Sequence, residues 1–591
     1  MKAILTFLMI VLVSTHLYSN DRIQKFIQND VVENGQMIPY QWNKTPGAPF
    51  TGDGQYPGAV DITMGFFDYG TNGQNLTNIY VFQDTVILAW FSADSTDPTG
   101  GTSRVAYYAF SSNGGTSWNG PFSVQALPNR SAYPEIQPFF DAMGRNIAMN
   151  GRKYNPGSGG GAWTEAFFGL GSFTGANMPN GGSDLFGAVI NNDEVGGIYN
   201  QANGGVDELK FIKYNIISST FDPETIIVPA GQNTSTNVRY KMESSTSGND
   251  LVAMWWDSPD GAQKMVYITS SDAGATWSSQ NIVQQSRVTN SVINGDTCGP
   301  WFGMDAAFKP NTSEFGLAWS TLYPISGSGL SSGDPQGTKI LYYSPGINGG
   351  VPVEVAGKVN MTIISDTNNF FNVQALQVGV TPVSHPSIGW SDDGSRIACF
   401  FSGFQPGDSL DGFNFNDIYY TYSDDNGLTW ATPENLTNTP DWDELYPTVS
   451  LTGNTSNLFH VKYHATRGPG SQSFTDNAPV YRVYQVYQKV AITSINNISS
   501  EIPEKFDLKQ NFPNPFNPET KIRFDITKAS NVSLKVYDSM GREIATLINN
   551  QTAPVGTNEV TFNASNLSSG VYFYTLSSGD FKMTKKMLLM K

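Results

Sequence analysis

The chain is poor in cysteine, histidine and charge. Of 591 residues only two are cysteines, Cys298 and Cys399, and four are histidines. Two cysteines cannot build a disulfide scaffold for a chain this long, so its stability must come from buried apolar surface. Whether they pair or stay as isolated buried thiols is left open by the sequence. So few histidines, with no paired cysteines, argue against a catalytic zinc centre. Charged residues make up 14%, and their balance is acidic, −17 at neutral pH. No run of lysine or arginine supplies the basic face that a nucleic acid or an anionic membrane surface requires. Long apolar runs are also missing. The stretch from Ala3 to Val13, broken only by Thr6, is too short to span a bilayer, and no later stretch approaches the needed length, so no transmembrane segment is expected. GxGxxG, GxxxxGK[ST] and HExxH do not occur in a strand-to-helix setting. The one GxSxG match, GLSSG (Gly329 to Gly333), lies in a Gly/Ser-rich loop with no helix after it.

What is present points to strands. The sequence holds 59 glycines and 13% aromatic residues, the composition of many turns between aromatic-rich strands, and predicts an all-β protein of at least two domains. Residues 1–19, MKAILTFLMIVLVSTHLYS, read as a secretory signal peptide: one Lys, an apolar run, then small and polar residues. An N-terminal extension, 20–55, follows.

From 56 to 493 a unit of short strands recurs. It contains an aromatic-Pro or His-Pro dipeptide (Tyr56-Pro57, Tyr133-Pro134, His385-Pro386, Tyr446-Pro447), where Pro is expected to open a strand. It also contains a hydrophobic strand (VILAWF, LVAMWW, FGLAWS, RIACFF) and an aromatic strand (VAYYAF, MVYITS, ILYYSP, IYYTYS, YRVYQV). Sequence repeats of this length predict a radial or solenoid array, in which stacked small sheets bury each other's faces. Seven units are favoured, starting near Asn75, Ala132, Gly182, Val238, Met304, His385 and Leu445; six is the alternative.

Three aromatic strands run into one signature, SSNGGTSW (Ser111, Asn113, Gly115, Trp118), SSDAGATW (Ser270, Asp272, Gly274, Trp277) and SDDNGLTW (Ser423, Asp425, Gly427, Trp430). A degenerate copy, SPGINGG, begins at Ser344. Physically this is a hairpin turn: Asp or Asn bonds nearby backbone N–H groups, Gly takes positive φ, and Trp is expected to pack back over the hairpin. It resembles the Asp-box, or BNR repeat, of sialidase-like β-propellers. That resemblance implies a six- or seven-bladed propeller with the boxes on the outer rim, away from the central cavity.

After about Glu501 the composition shifts. Residues 501–591 hold 11 basic and 9 acidic residues, net +2, leaving −19 for everything before them. A polar linker is expected at 494–506 and a small immunoglobulin-like β-sandwich at 507–591, from the strands TKIRFDI, NVSLKVYD, REIATLI, NEVTFNA, GVYFYTL and FKMTKKMLLM. QNFPNPFNPETKIRF, VYDSMGREIATL, SGVYFYTL and the terminal KKMLLMK look like a type IX secretion sorting domain along their whole length. The resemblance implies recognition by the outer-membrane export machinery, and display at the surface or release.

A true sialidase resembles the central region in fold but clamps a sugar carboxylate with three Arg, the first in an Arg-Ile-Pro motif. No Arg-Ile-Pro occurs in this chain. Candidate ligand-binding residues are therefore those placed near the starts of the inner strands: Asp61, Glu135, Arg239, Glu243, Asp305, His385 and Tyr446. In NVRYKMES, alternation sets Arg239, Lys241 and Glu243 on one face and Tyr240 and Met242 on the other. His460 and His464 alternate along one strand and stand too far apart, roughly 13 Å, to share a metal. The acidic loops GDSLDGFNFND (Gly407 to Asp417) and DWDE (Asp441 to Glu444) offer calcium-type oxygen ligands without an EF-hand pattern; no other cofactor is indicated. The expected function is binding of an extracellular glycan or other surface polymer. The alternatives are a glycoside hydrolase using a carboxylate pair, and a non-catalytic structural or adhesion protein.

Overall fold

The computed structural model describes residues 65, 76–93, 103–124, 131–139, 146–153, 159–165, 173–179, 185–191, 193–203, 206–229, 240–257, 264–284, 292–293, 296–322, 338–362, 381–410, 413–468, 481–492, 496–499, 501–564, 567–579 and 581–591. The signal peptide, the extension, Asp61 and Arg239 lie outside them. The chain is all-β and divides into two compact units, 1–454 with 460–488 and 455–459 with 489–591.

Among the described residues of the first unit the chain lays down seven antiparallel sheets of three to five strands in succession. They are meanders whose strands pair in sequence order, except that in the third the fifth strand, Thr225–Val228, also pairs with the third strand; a two-stranded ribbon, Val292–Ile293 with Asp296–Thr297, precedes the fifth. Their first strands are Ile79–Phe82, Ser131–Phe139, Phe186–Asn191, Tyr240–Ser244, Gly299–Phe308, Val383–Trp390 and Asp443–Val449, and the sheets are called I to VII here. The second strands are the apolar runs of the sequence, and they bury both faces. Leu251 to Trp256 of sheet IV, for example, are all buried, which alternation with solvent on one face could not produce.

Tyr56-Pro57 lies outside the described residues, and the other aromatic-Pro and His-Pro dipeptides do not open strands. In sheets II, VI and VII they sit inside the first strand, at a bulge where its register against the second strand slips: between Ala132 and Glu135, Ser384 and Ser387, and Leu445 and Thr448. Sheet V slips likewise between Pro300 and Met304. A bulge leaves a residue unpaired, so a Pro there costs no ladder hydrogen bond. The residue before the Pro takes positive φ, 53° at His385 and 56° at Tyr446; sheet V uses Gly303, at 86°. A Cβ on Gly303 would lie 2.7 Å from the His385 Cα, so glycine is required by the close approach of the next sheet's bulge.

The three Ser-to-Trp signature turns, starting at Ser111, Ser270 and Ser423, share one geometry. The Ser hydroxyl donates to the Asn or Asp Oδ1 at 2.8, 2.8 and 2.7 Å, and the Gly N–H donates to the Ser Oγ at 2.8, 2.9 and 2.8 Å. Each Trp Nε1–H donates to the Gly carbonyl at 3.1 Å. The Trp ring does not pack only over its own hairpin. It meets an aromatic ring on the third strand of the preceding sheet: Trp277 of sheet IV on Phe211 of sheet III at 5.4 Å, and Trp430 of sheet VI on Tyr342 of sheet V at 5.3 Å. Trp118 of sheet I meets Tyr487 of sheet VII in the same way at 5.6 Å. The box glycines lie flat against those rings, where a Cβ would come within 2.2, 2.3 and 2.1 Å. The degenerate copy keeps its turn, with Gly349 and Gly350 at positive φ. A related turn that the signature missed, Ser391 to Arg396, joins the first two strands of sheet VI, with Ser391 Oγ donating to Asp393 at 2.6 Å.

Two further contacts join sheets I and VII. The Thr452 hydroxyl donates to the Val81 carbonyl at 2.7 Å, and Gly65, ahead of sheet I, forms an antiparallel bridge with Val483 of sheet VII.

The second unit has two four-stranded sheets over one core of Leu508, Ile522, Phe524, Leu534, Val536, Tyr574, Leu576 and Met587, among others. Asn496–Ser499, in the stretch expected as linker, pairs with Gly556–Asn563. The residues of QNFPNPF fasten the two ends of the unit. Tyr574 OH donates to the Lys509 carbonyl and accepts from the Asn511 N–H, both at 2.8 Å. Asn514 Oδ1 accepts from the Leu588 N–H at 2.9 Å, and the Phe516 N–H donates to the Leu588 carbonyl at 3.0 Å.

Candidate functional site

Five candidates lie within the described residues, all on first strands: Glu135 on sheet II, Glu243 on sheet IV, Asp305 on sheet V, His385 on sheet VI and Tyr446 on sheet VII. They fall into two groups. The carboxylates gather around Lys241, whose Nζ lies 3.2 Å from Glu135, 3.0 Å from Glu243 and 3.9 Å from Asp305 and donates to Thr77 Oγ1 at 2.6 Å. All four charged side chains are buried.

Each carboxylate also straps sheets together. Glu135 accepts from the N–H groups of Thr77, before sheet I, and Gly187 of sheet III, at 3.2 and 3.0 Å. Asp305 accepts from the Ser387 hydroxyl and the Ile388 N–H of sheet VI at 2.9 and 3.0 Å, and Ser387 Oγ in turn accepts from Val449 N–H of sheet VII at 3.1 Å. Burial pushes Glu243 up to about 7 and Asp305 up to about 6, against the pull of Lys241. Burial works against the Lys241 ammonium, but Glu135, Glu243 and Asp305 outweigh it and hold its pKa above the ordinary lysine range. The face-sharing of Lys241 and Glu243 follows the strand alternation, and the result is an internal ion cluster.

The second group is made of rings. His385 meets Tyr446 edge-on at 4.7 Å, and Tyr446 meets His464 of the second strand of sheet VII at 4.7 Å, so the phenol ring contacts both imidazoles. The left-handed backbone at His385 and Tyr446 aims both side chains off their bulges; for bulky residues such strain costs on the order of 1–3 kcal/mol each and recurs at functional sites. Along Leu458–Thr466, His460, Lys462 and His464 share one face. His460 is engaged with the Tyr487 hydroxyl at 2.6 Å. Lys462 is 4% exposed, and among the described residues no acid or hydrogen-bond acceptor meets its amine. Burial alone brings its pKa down to about 7. His464 Nε2 is buried with no hydrogen-bond partner among the described residues; burial, then Lys462 and His385, hold this imidazole well below its usual range. Lys462 was not singled out in the sequence, although HVKYH carries its signal: polar residues at every second position of an otherwise apolar strand.

The remaining expectations resolve simply. Cys298 and Cys399 are both buried free thiols. Of the acidic loops, Asp417 accepts from Asn435 Nδ2, Thr437 Oγ1 and the Thr439 N–H, and Asp443 from the backbone and side chain of Asn416. Among the described residues no group of three or more His, Cys, Asp or Glu is placed to hold a metal ion, and no helix is long and apolar enough to cross a membrane.

In class, then, the chain is an all-β protein of successive antiparallel sheets followed by a separate β-rich unit. Residues 510–590 of that last unit match the family described as secretion system C-terminal sorting domain, which places the chain among proteins exported by the type IX system to the cell surface or the extracellular space. No curated protein matches the chain. Solved structures with some similarity include a protein of unknown function from Dyadobacter fermentans (12% identity, 62% of this chain and 100% of that one, TM-score 0.35). Others are the polysaccharide lyase Uly1 (11%, 74% and 94%, TM-score 0.41) and the β-propeller domain of the Trilobed protease from Pyrococcus furiosus (9%, 72% and 96%, TM-score 0.34). All three TM-scores are too low to establish a shared fold.

Proposed function

We propose that the first unit is a closed seven-bladed β-propeller of the Asp-box type, carried outward by an immunoglobulin-like sorting domain, and that it binds an extracellular glycan or another surface polymer at the His385, Tyr446 and His464 cluster. Closure is supported by the repeated Trp contact: sheet I meets sheet VII as IV meets III and VI meets V. The binding reading rests on one observation, the convergence on the Tyr446 ring of two imidazoles, His385 at the bulge of the adjacent first strand and His464 on the second strand of sheet VII. His385 is fully buried and Tyr446 and His464 are 7% and 5% exposed, so a sugar would reach the cluster at the edges of those two rings.

A hydrolase is the second reading, favoured by Glu243, whose carboxyl keeps its proton to about 7 and shares Lys241 with Glu135. A protonated acid beside a second carboxylate is the pairing that glycoside hydrolysis uses. Binding is preferred because both acids are already saturated by internal donors. The test is retention and product release over a panel of neutral and acidic polysaccharides, using the exported protein. Retention that falls at least tenfold in Tyr446→Ala, with no product released, is the expected result. Turnover abolished by Glu243→Gln would establish the hydrolase, and neither retention nor turnover would reject both.

A further inference from the structure

The ring cluster adjoins a feature that polymer stacking does not use. Lys462 brings an amine into the interior, and among the described residues no carboxylate pairs with it there. Among the described residues, the titratable groups beside it are His460 and His464 on the same face of its strand, and beyond them Tyr487 at His460, Tyr446 at His464 and His385 at Tyr446; none supplies a negative charge at neutral pH. Opposite it in the ladder stands Thr448. The contrast with Lys241 is direct, since that lysine is equally buried and has three carboxylates around it. The other two buried lysines among the described residues of the unit are also paired, Lys339 with Glu354 at 3.0 Å and Lys210 with Glu224 at 2.5 Å. An unpaired buried ammonium is costly, and buried groups perturbed in this way cluster at functional sites. Lys462, His464 and Tyr446 are 4%, 5% and 7% exposed.

Resting on the binding reading above, we propose that Lys462 and His464 form a site for one anionic substituent of the bound glycan, a carboxylate or a sulfate ester, which takes the place of the missing counter-ion beside the Tyr446 ring. The ammonium supplies charge and the His464 Nε2 side supplies a hydrogen bond, while Tyr446 packs against the sugar that carries the anion. Since the free amine loses its proton near neutrality and an anion holds that proton in place, binding takes up a proton above about pH 7 and weakens as pH rises.

The test uses the full exported protein and three probes of one size: glucuronate, glucose 6-sulfate and glucose, titrated between pH 6 and 9. The two acids separate a carboxylate ligand from a sulfate ligand. The expected result is binding of at least one acid more tightly than glucose, with affinity falling by about tenfold per pH unit above 7. Lys462→Met loses that preference, while Lys462→Arg keeps it and flattens the pH profile, because guanidinium stays charged. Unchanged acid binding in a folded Lys462→Met protein, or no preference for either acid in the wild type, overturns the inference. If polymers are retained equally by wild type and Lys462→Met, the binding reading stands and the anion site falls. If the small acids bind through Lys462 while no polymer is retained, the anion site stands and the polymer reading falls.

Discussion

Lys241 and Lys462 show how one residue type carries opposite electrostatic roles according to its neighbours. Both are buried on strands of the same unit; one is ringed by acids and the other is not. Their surroundings give stability two opposed pH windows. The unfolded chain loses the Glu243 proton near 4.5, the folded chain near 7, so between those values the folded state holds more protons and stability falls as pH rises. Lys462 is protonated to about 10.5 when unfolded and to about 7 when folded. The unfolded state therefore binds the extra proton across that span, and stability climbs from pH 7 toward 10.5. Lys462→Met should accordingly raise stability at neutral pH by on the order of 3–5 kcal/mol, a gain that shrinks toward pH 10. Urea midpoints at pH 7 and 10 measure it; a destabilised variant at pH 7 would contradict the unpaired-amine assignment.

The repeated Ser-to-Trp signature is an inter-sheet device as much as a turn. Its Ser and Asn or Asp side chains close the hairpin, its Gly lets a neighbouring ring lie flat on the backbone, and its Trp covers that ring. Gly274→Ala meets two obstacles at once, φ of +83° and Phe211 at 2.3 Å from the new Cβ, and should cost about 2–4 kcal/mol. Phe211→Ala should cost about 3 kcal/mol and make Gly274→Ala less damaging, since the ring that clashes is gone. A double-mutant cycle by thermal unfolding reads this coupling, and strict additivity would show that the glycine serves only its φ.

At the scale of the molecule the transport signal belongs to the second unit. The family match covers residues 510–590 alone, so truncation before Gln510 should leave the remaining chain retained in the periplasm rather than at the surface or in the medium. Immunoblots of cell fractions decide it. The sorting unit was legible because its signal is local: QNFPNPF and the terminal strand each keep their residues in one short run. The repeat was legible for the same reason, since hydrophobic runs, aromatic strands and turn residues recur in order. The bulges were not, because Pro inside a strand and Pro at its start look alike in sequence.

Composition and local pattern by themselves determined the all-β class, the export signals and the turn chemistry, because each depends on residues within a few positions of one another. Tertiary structure alone decided the partners: that Glu135, Glu243 and Asp305 share Lys241, that His385 and His464 meet at Tyr446, and that Lys462 is buried without an acid. These residues come from strands up to hundreds of positions apart. The stacking of sheets, which no single segment encodes, sets which of them touch and what each touch does to its charge.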